Sequence, residues 1–205
     1  MFTISDVRPS HRVAVQASVD VVDAVTPEQL RLPTPCAGWN LADLLAHMTV
    51  QHRGFAAAAR GKGANPAVWE SATVLDAVLT DPAGTYAAAA ADVLEAFAAE
   101  GVLDATFALP EFGPGAEFPG ILAIGFHFVD YVVHGWDVAR TIGFPFNLPA
   151  DVVTAVLPLA LAVPDDQNFR SGDSAVFEPA IAAESGEGDL ESILRHLGRS
   201  PVWTP

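Results

Sequence analysis

The stretch GFHFVDYVVHGWDVAR, residues 125–140, decides how this chain is read. Phe126, Phe128, Val132 and Val133 make it apolar, and His127, Asp130 and His134 set three ionisable groups among them. On a helix, Asp130 and His134 stand one turn apart on one face, and His127, three residues before Asp130, falls on that face too. These groups would be costly at the centre of a bilayer, so the helix belongs inside a protein. Gly143 and Pro145 supply a stop signal and place it at about residues 119–142. A carboxylate and imidazoles buried in apolar surroundings need partners. One arrangement is a bound cation, which neutralises the carboxylate and takes up imidazole lone pairs. The other is a hydrogen-bonded Asp–His pair tying two helices together. This helix by itself leaves both open.

Further helices lie on either side. Over residues 9–26, Val13, Ala17, Val21 and Val25 recur every fourth residue, with Asp20 and Asp23 off the stripe. Pro27 and LRLPTPCAGW (30–39) break that pattern into an irregular connector. Asn40 is placed to cap a second helix, with Asp43 three residues on, that runs through LADLLAHMTVQHRGFAAAAR to near Gly61. GKGANPAVWE (61–70) reads as loop. A third helix starts with Pro82 in its first position and runs to Gly101. VLDATFALPEFGPGAEF (102–118) holds too much proline and glycine for a helix and is predicted to be a short strand or extended excursion. Pro149 opens a fifth helix, VVTAVLPLALAV, that Pro158 is expected to kink. From residue 164 the tail mixes loop, an extended pair at 174–183 and a final helix over 189–198. The class is therefore mainly α, a four-helix bundle with a short mixed C-terminal tail. Residues 1–163 are expected to form the bundle, and 164–205 an extension packed on the same domain.

Composition agrees with a single domain. A chain of 205 residues buries a sizeable core. Much of its hydrophobic share of 51% is alanine spread over amphipathic stretches, so no membrane span is expected. MFTISDVRPSHR lacks a charged start followed by an apolar run, the mark of a secretory signal. One cysteine, Cys36, excludes an internal disulfide framework and points to a reduced cytoplasm. A net charge of −15 repels phosphate backbones and argues against a nucleic-acid partner.

The second helix adds a further candidate. His47 follows the apolar stripe Leu41, Leu44, Leu45, so its side chain faces the core, either as a satisfied core histidine or opposite His134. Two imidazoles and one carboxylate would leave a metal coordination position open, as catalytic sites do.

TPCAGWNLADLLAHM (34–48) resembles the entry motif of the DinB/YfiT-like superfamily, in particular its mycothiol-dependent maleylpyruvate isomerase branch. There a Trp precedes the helix and a His closes an LLxH stretch. DYVVHGWDVARTIG (130–143) is similar to that branch's second motif: an acid, three residues, a His, then Trp-Asp. LRHLGRSPVW (194–203) resembles the ending of an actinobacterial subgroup. The resemblance implies a DinB-like four-helix bundle with one divalent metal, carried over by position onto His47, Asp130 and His134. Zinc is the usual metal, and nickel, iron and manganese also tolerate the set.

The resemblance further implies a thiol enzyme: a thiol of the mycothiol type is activated at the metal and adds to an electrophilic small molecule, giving S-transfer or isomerisation. A homodimer is common for such bundles. A metal-dependent hydrolase with His127 as a nearby base, and a non-catalytic metal-stabilised binding or sensory protein, are the alternatives. Among the remaining candidates, His127 shares the Asp130 face as an extra ligand or base. Trp136 is expected in the core. Asp137 is expected to support a ligand or to pair with Arg140. Gln51 is placed at metal-bound water or on an exposed helix face, and His52 on the surface. Cys36 reads as a buried thiol. Arg170 and Arg195 are either grips for an anionic group or surface arginines.

Overall fold

Four long helices carry the core in a computed structural model that describes residues 5–166, 170 and 177–205. Helix α1 (Arg8–Asp23) takes Pro9 in its first turn, where a missing N–H costs nothing. Helix α2 (Leu41–Ala59) begins at a reciprocal cap: Asn40 Oδ1 accepts from the Asp43 amide at 3.0 Å, and Asp43 Oδ2 accepts from the Asn40 amide at 3.2 Å. A short helix α3 (Leu75–Thr80) leads into α4 (Pro82–Phe97), whose cap Asp81 accepts from the Gly84 amide at 2.9 Å. Two three-residue strands follow, β1 (Thr106–Ala108) and β2 (Glu117–Pro119), antiparallel with Phe107 opposite Phe118. Helix α5 (Gly120–Ile142) then crosses the molecule and stops at Gly143, whose φ of +69° is the left-handed conformation that glycine adopts without strain. Helices α6 (Ala150–Leu161) and α7 (Asp189–His196) complete the described elements.

The bundle closes in a ring: α1 packs on α4 and α5, and α2 packs on the same two. Leu41, Leu44, Leu45 and Met48 of α2 are fully buried against Tyr131 and Val138 of α5 and Tyr86 of α4. Each such aliphatic side chain contributes about 1.5–3 kcal/mol of burial. α7 lies on α6, and its Ile193 joins Val152, Val156, Val132 and Val133 in one cluster. No described helix is long and apolar enough to cross a membrane.

The fold follows the expected mainly α bundle and departs from the sequence reading in detail. The stripe expected on α1 holds at its end, where Val21 and Val25 are buried, and is rotated at its start, where Val13 is 40% exposed while His11, Ala14 and Ser18 face inward. His11 and Ser18 are polar, so hydrophobic periodicity passes over them. They are buried because His127 and Tyr86 answer them with hydrogen bonds of 2.8 and 2.7 Å. The loop at 61–70 holds a 3₁₀ turn at Pro66–Trp69, and α3 was not foreseen because it is barely over one turn long. Pro158 sits inside α6, which continues to Leu161. Of the extended pair expected at 174–183, residues 174–176 lie outside the described residues and 177–183 form no strand.

Candidate metal centre and its cleft

His47 from α2 and Asp130 and His134 from α5 meet where those helices pack. One donor atom from each lies within 4.8 Å of the other two. His134 Nε2 is 3.2 Å from Asp130 Oδ1, and the His47 and His134 rings stand edge to face at 5.3 Å. Trp39, just before the α2 cap, packs its ring 4.8 Å from His47. The group opens into a cleft of about 1760 Å³ between α2, α5, α6 and the C-terminal segment.

Behind His134 sits a second set of charges. His134 Nδ1 is 2.9 Å from Asp137 Oδ2, and because a carboxylate only accepts, Nδ1 carries the hydrogen and Nε2 is turned toward Asp130 and His47. The same Oδ2 accepts from Arg199 Nη2 at 3.3 Å and from the Cys36 thiol at 3.2 Å, while Arg199 Nη2 donates to Cys36 Sγ at 3.0 Å. Asp137 is fully buried and Arg199 is 4% exposed. Cys36, His134 and Asp137 also meet the spacing of a metal-ligand group. The Arg199 cation already lies against two of them, so this side of His134 is a charge network rather than a second cation site.

The electrostatics suit a cation in front of His134. Burial works against ionising Asp130, but adjacent His134 overrides it and holds the carboxyl below its usual range. Burial, reinforced by nearby His134, pushes His47 down to about 4, leaving it neutral with a lone pair to give. Burial also opposes charging His134, yet the Asp130 carboxylate, aided by Asp137, raises it well above the ordinary imidazole value. A cation in front of His134 would meet Asp130 at Nε2, while Asp137 holds the opposite nitrogen, Nδ1. Two imidazoles and a carboxylate of low proton affinity form a donor set that fits zinc and its neighbours.

The other candidates fall in varied places. His127 is turned away from the cleft: it is fully buried, bonded to His11 at 2.8 Å and to His52 at 3.2 Å, and stacked on Tyr131. His52, expected on the surface, is fully buried in that same chain. Gln51 is 4% exposed rather than on an open helix face, and donates to Glu111 Oε1 at 2.5 Å. Trp136 is buried as expected. Asp137 serves His134 and not Arg140, which instead donates to the Trp203 and Pro201 carbonyls. Arg170 is buried on the carbonyls of Pro164, Glu178 and His196 at the cleft edge. Arg195 pairs with Glu184 and Glu187 and does not line the cleft.

Two cleft residues were not singled out in the sequence, although Arg199 lies in the C-terminal motif at 194–203. Arg199 reaches Asp137 from 62 positions away, and Glu111 stands in a proline-rich turn whose place beside α2 depends on the β1–β2 hairpin.

Comparison with known proteins agrees with this architecture. The family model for the mycothiol maleylpyruvate isomerase N-terminal domain matches residues 11–139, which include His47, Asp130 and His134. The uncharacterized proteins Rv0738 and MT0763, from two Mycobacterium tuberculosis strains, are 30% identical over 194 residues, covering 93% of this chain and 96% of each relative. A crystal structure of the mycothiol-dependent maleylpyruvate isomerase superposes with a TM-score of 0.58 at 12% identity, over 82% of this chain and 72% of that one. A histidine-to-alanine mutant of that enzyme gives 0.60 over the same shares. At that identity the likeness shows the fold. With more than half of its length matched, the chain belongs to the mycothiol maleylpyruvate isomerase N-terminal domain family.

Proposed function

We propose that this protein holds one divalent metal ion, zinc in the first instance, on His47, Asp130 and His134, and works as a thiol-dependent transferase or isomerase. The observation that carries the reading is the convergence of three donor atoms within 4.8 Å at the wall of a large cleft. When bound, the metal would supply a Lewis acid that lowers the pKa of a thiol at its open position.

The chain's own residues prepare that position. Asp137 orients His134, and Arg199 neutralises Asp137, so the negative charge left for a cation is that of Asp130. Trp39 covers His47 and limits water on that side. The cleft accommodates a low-molecular-weight thiol of the mycothiol type with an electrophilic partner, and the family's name supports that thiol class. Arg199 reaching Asp137 supports taking 164–205 as an extension of the 1–163 bundle in one domain. A reduced, cytoplasmic setting and a homodimer belong to the same reading.

The test is elemental analysis of protein purified without chelator or affinity metal, beside His134→Ala, followed by cobalt substitution. About one equivalent in the wild type, lost in the variant, with a cobalt spectrum that shifts on adding mycothiol, is the expected result. A wild type that retains none of several offered divalent metals would refute the site. A loaded protein whose spectrum ignores the thiol would refute the thiol role while leaving the metal.

A further inference from the structure

Glu111 is the cleft's other carboxylate, and the metal reading does not use it. It stands in the 3₁₀ turn Pro110–Phe112, directly after β1. That turn is anchored: Leu109 is fully buried and its amide donates to the Ala116 carbonyl at 3.0 Å. The ring of Phe112 packs on Phe118 and Phe126 at 5.1 and 5.2 Å, giving the cleft an aromatic wall next to the carboxyl. Gln51, one helical turn beyond His47, holds Glu111 Oε1 at 2.5 Å. Among the described residues Gln51 is the hydrogen-bond partner of this carboxyl, and it engages one oxygen. The glutamine that presents Glu111 thus rides on the helix that delivers a candidate metal ligand. Asp130 differs in kind, since its carboxylate is committed to His134.

A thiol must lose its proton before sulfur bonds to carbon, and the proton must be returned when the product leaves. Resting on the thiol reading above, we infer that Glu111, presented by Gln51, is the catalytic proton carrier of the cleft. Its carboxylate takes the S–H proton, giving the thiolate and Glu111–COOH. The thiolate sulfur bonds to the β-carbon of an α,β-unsaturated carbonyl compound; the C=C π pair becomes the bond from the α-carbon to the carbonyl carbon, and the carbonyl pair moves to oxygen, which Glu111–COOH protonates to give an enol. Rotation about the former C=C bond, now single, and reversal of both transfers release the thiol and the geometric isomer. Protonation at the α-carbon instead gives the S-adduct. Although Glu111 stands on an exposed turn, partial desolvation at the cleft, opposed by Gln51 and aided by the charge of Asp130, raises this carboxyl to about 7, within reach of proton exchange near neutral pH.

Proton counting tests this without turnover. Mycothiol is titrated calorimetrically into the zinc-loaded full-length protein at pH 8 in phosphate and in Tris, whose ionisation enthalpies differ. A free thiol of ordinary pKa is about three-quarters protonated there, so binding as thiolate with no acceptor releases about 0.75 proton to buffer. The charge of a bound thiolate raises the neighbouring Glu111 carboxyl further, so wild type is expected to keep part of that proton and release clearly less than 0.75, and Glu111→Gln, which keeps an oxygen for Gln51, about 0.75. Glu111→Ala, tolerable in an exposed turn, should repeat the result. Equal release from all three proteins overturns the role of Glu111 while leaving thiol binding intact. Absence of a binding heat in all of them, with metal content normal, overturns the thiol reading and this inference together.

Discussion

Acidification from pH 7.5 to 5 should strain the core at one place, the chain His11–His127–His52. His11 Nε2 lies 2.8 Å from His127 Nδ1, and His127 Nε2 lies 3.2 Å from His52 Nδ1; all three rings are buried, and His52 Nε2 has no partner among the described residues. Burial drives His11 down to about 3 and the other two well below 6.5. A histidine depressed in the folded state stays neutral there while the unfolded chain binds a proton, so stability is complete above about 6.5 and lost as pH falls. At pH 5 the unfolded chain gains about 1.5 pKa units of proton binding per ring, or about 2 kcal/mol each and about 6 kcal/mol for three independent rings. Depressed His47 adds to the loss. Glu111 and His134, both raised when folded, work in the opposite sense and offset part of it. Asp130 and Asp137, both lowered, matter only below the ordinary carboxylate range.

A comparison with one ring removed isolates the effect. Urea unfolding of metal-free wild type and His127→Leu is measured at pH 7.5 and 5. The variant is less stable at both, because His11 and His52 lose a partner. Its pH increment should nevertheless be smaller than the wild type's by about 2 kcal/mol. Equal increments would show that the core rings are not buried neutral and would refute the reasoning.

Other expectations follow from particular contacts. Arg199→Ala or Asp137→Asn should weaken zinc binding by about 10–100-fold without removing a ligand, measured by competition with a chromophoric chelator. Chelation of the loaded protein should lower its stability by about 2.7 kcal/mol where free metal had stood at a hundred times its dissociation constant, read from unfolding midpoints. Asn40→Ala should cost about 1 kcal/mol in urea unfolding, because the Asp43 amide loses its cap. Gly120→Ala should cost about 1–3 kcal/mol or more, since a Cβ there would run into the Val102 carbonyl and the Phe107 ring; thermal unfolding checks it.

Local chemistry wrote much of this protein directly into its sequence. Asn40 with Asp43, Pro82 after Asp81, and Gly143 after α5 are caps and stops, whose effect depends on neighbours within a few residues, and their helices begin or end where expected. Asp130 and His134 share a face because a helix fixes what lies four residues apart. Other features depend on which helix packs against which, and no local pattern carries that. His47 was legible as inward-facing, but its approach to His134 is set by the packing of α2 on α5. His52 was expected on the surface and Gln51 at metal-bound water or on an exposed face; both are buried because their partners, His127 and Glu111, lie on elements distant in the chain. Arg199 belongs to His134 through Asp137 only after the C-terminal segment folds back over α5. Short-range hydrogen bonding and helical periodicity thus determined the helices and the shared face, while long-range burial of charged and polar groups, whose cost only a specific partner removes, decided what surrounds the site.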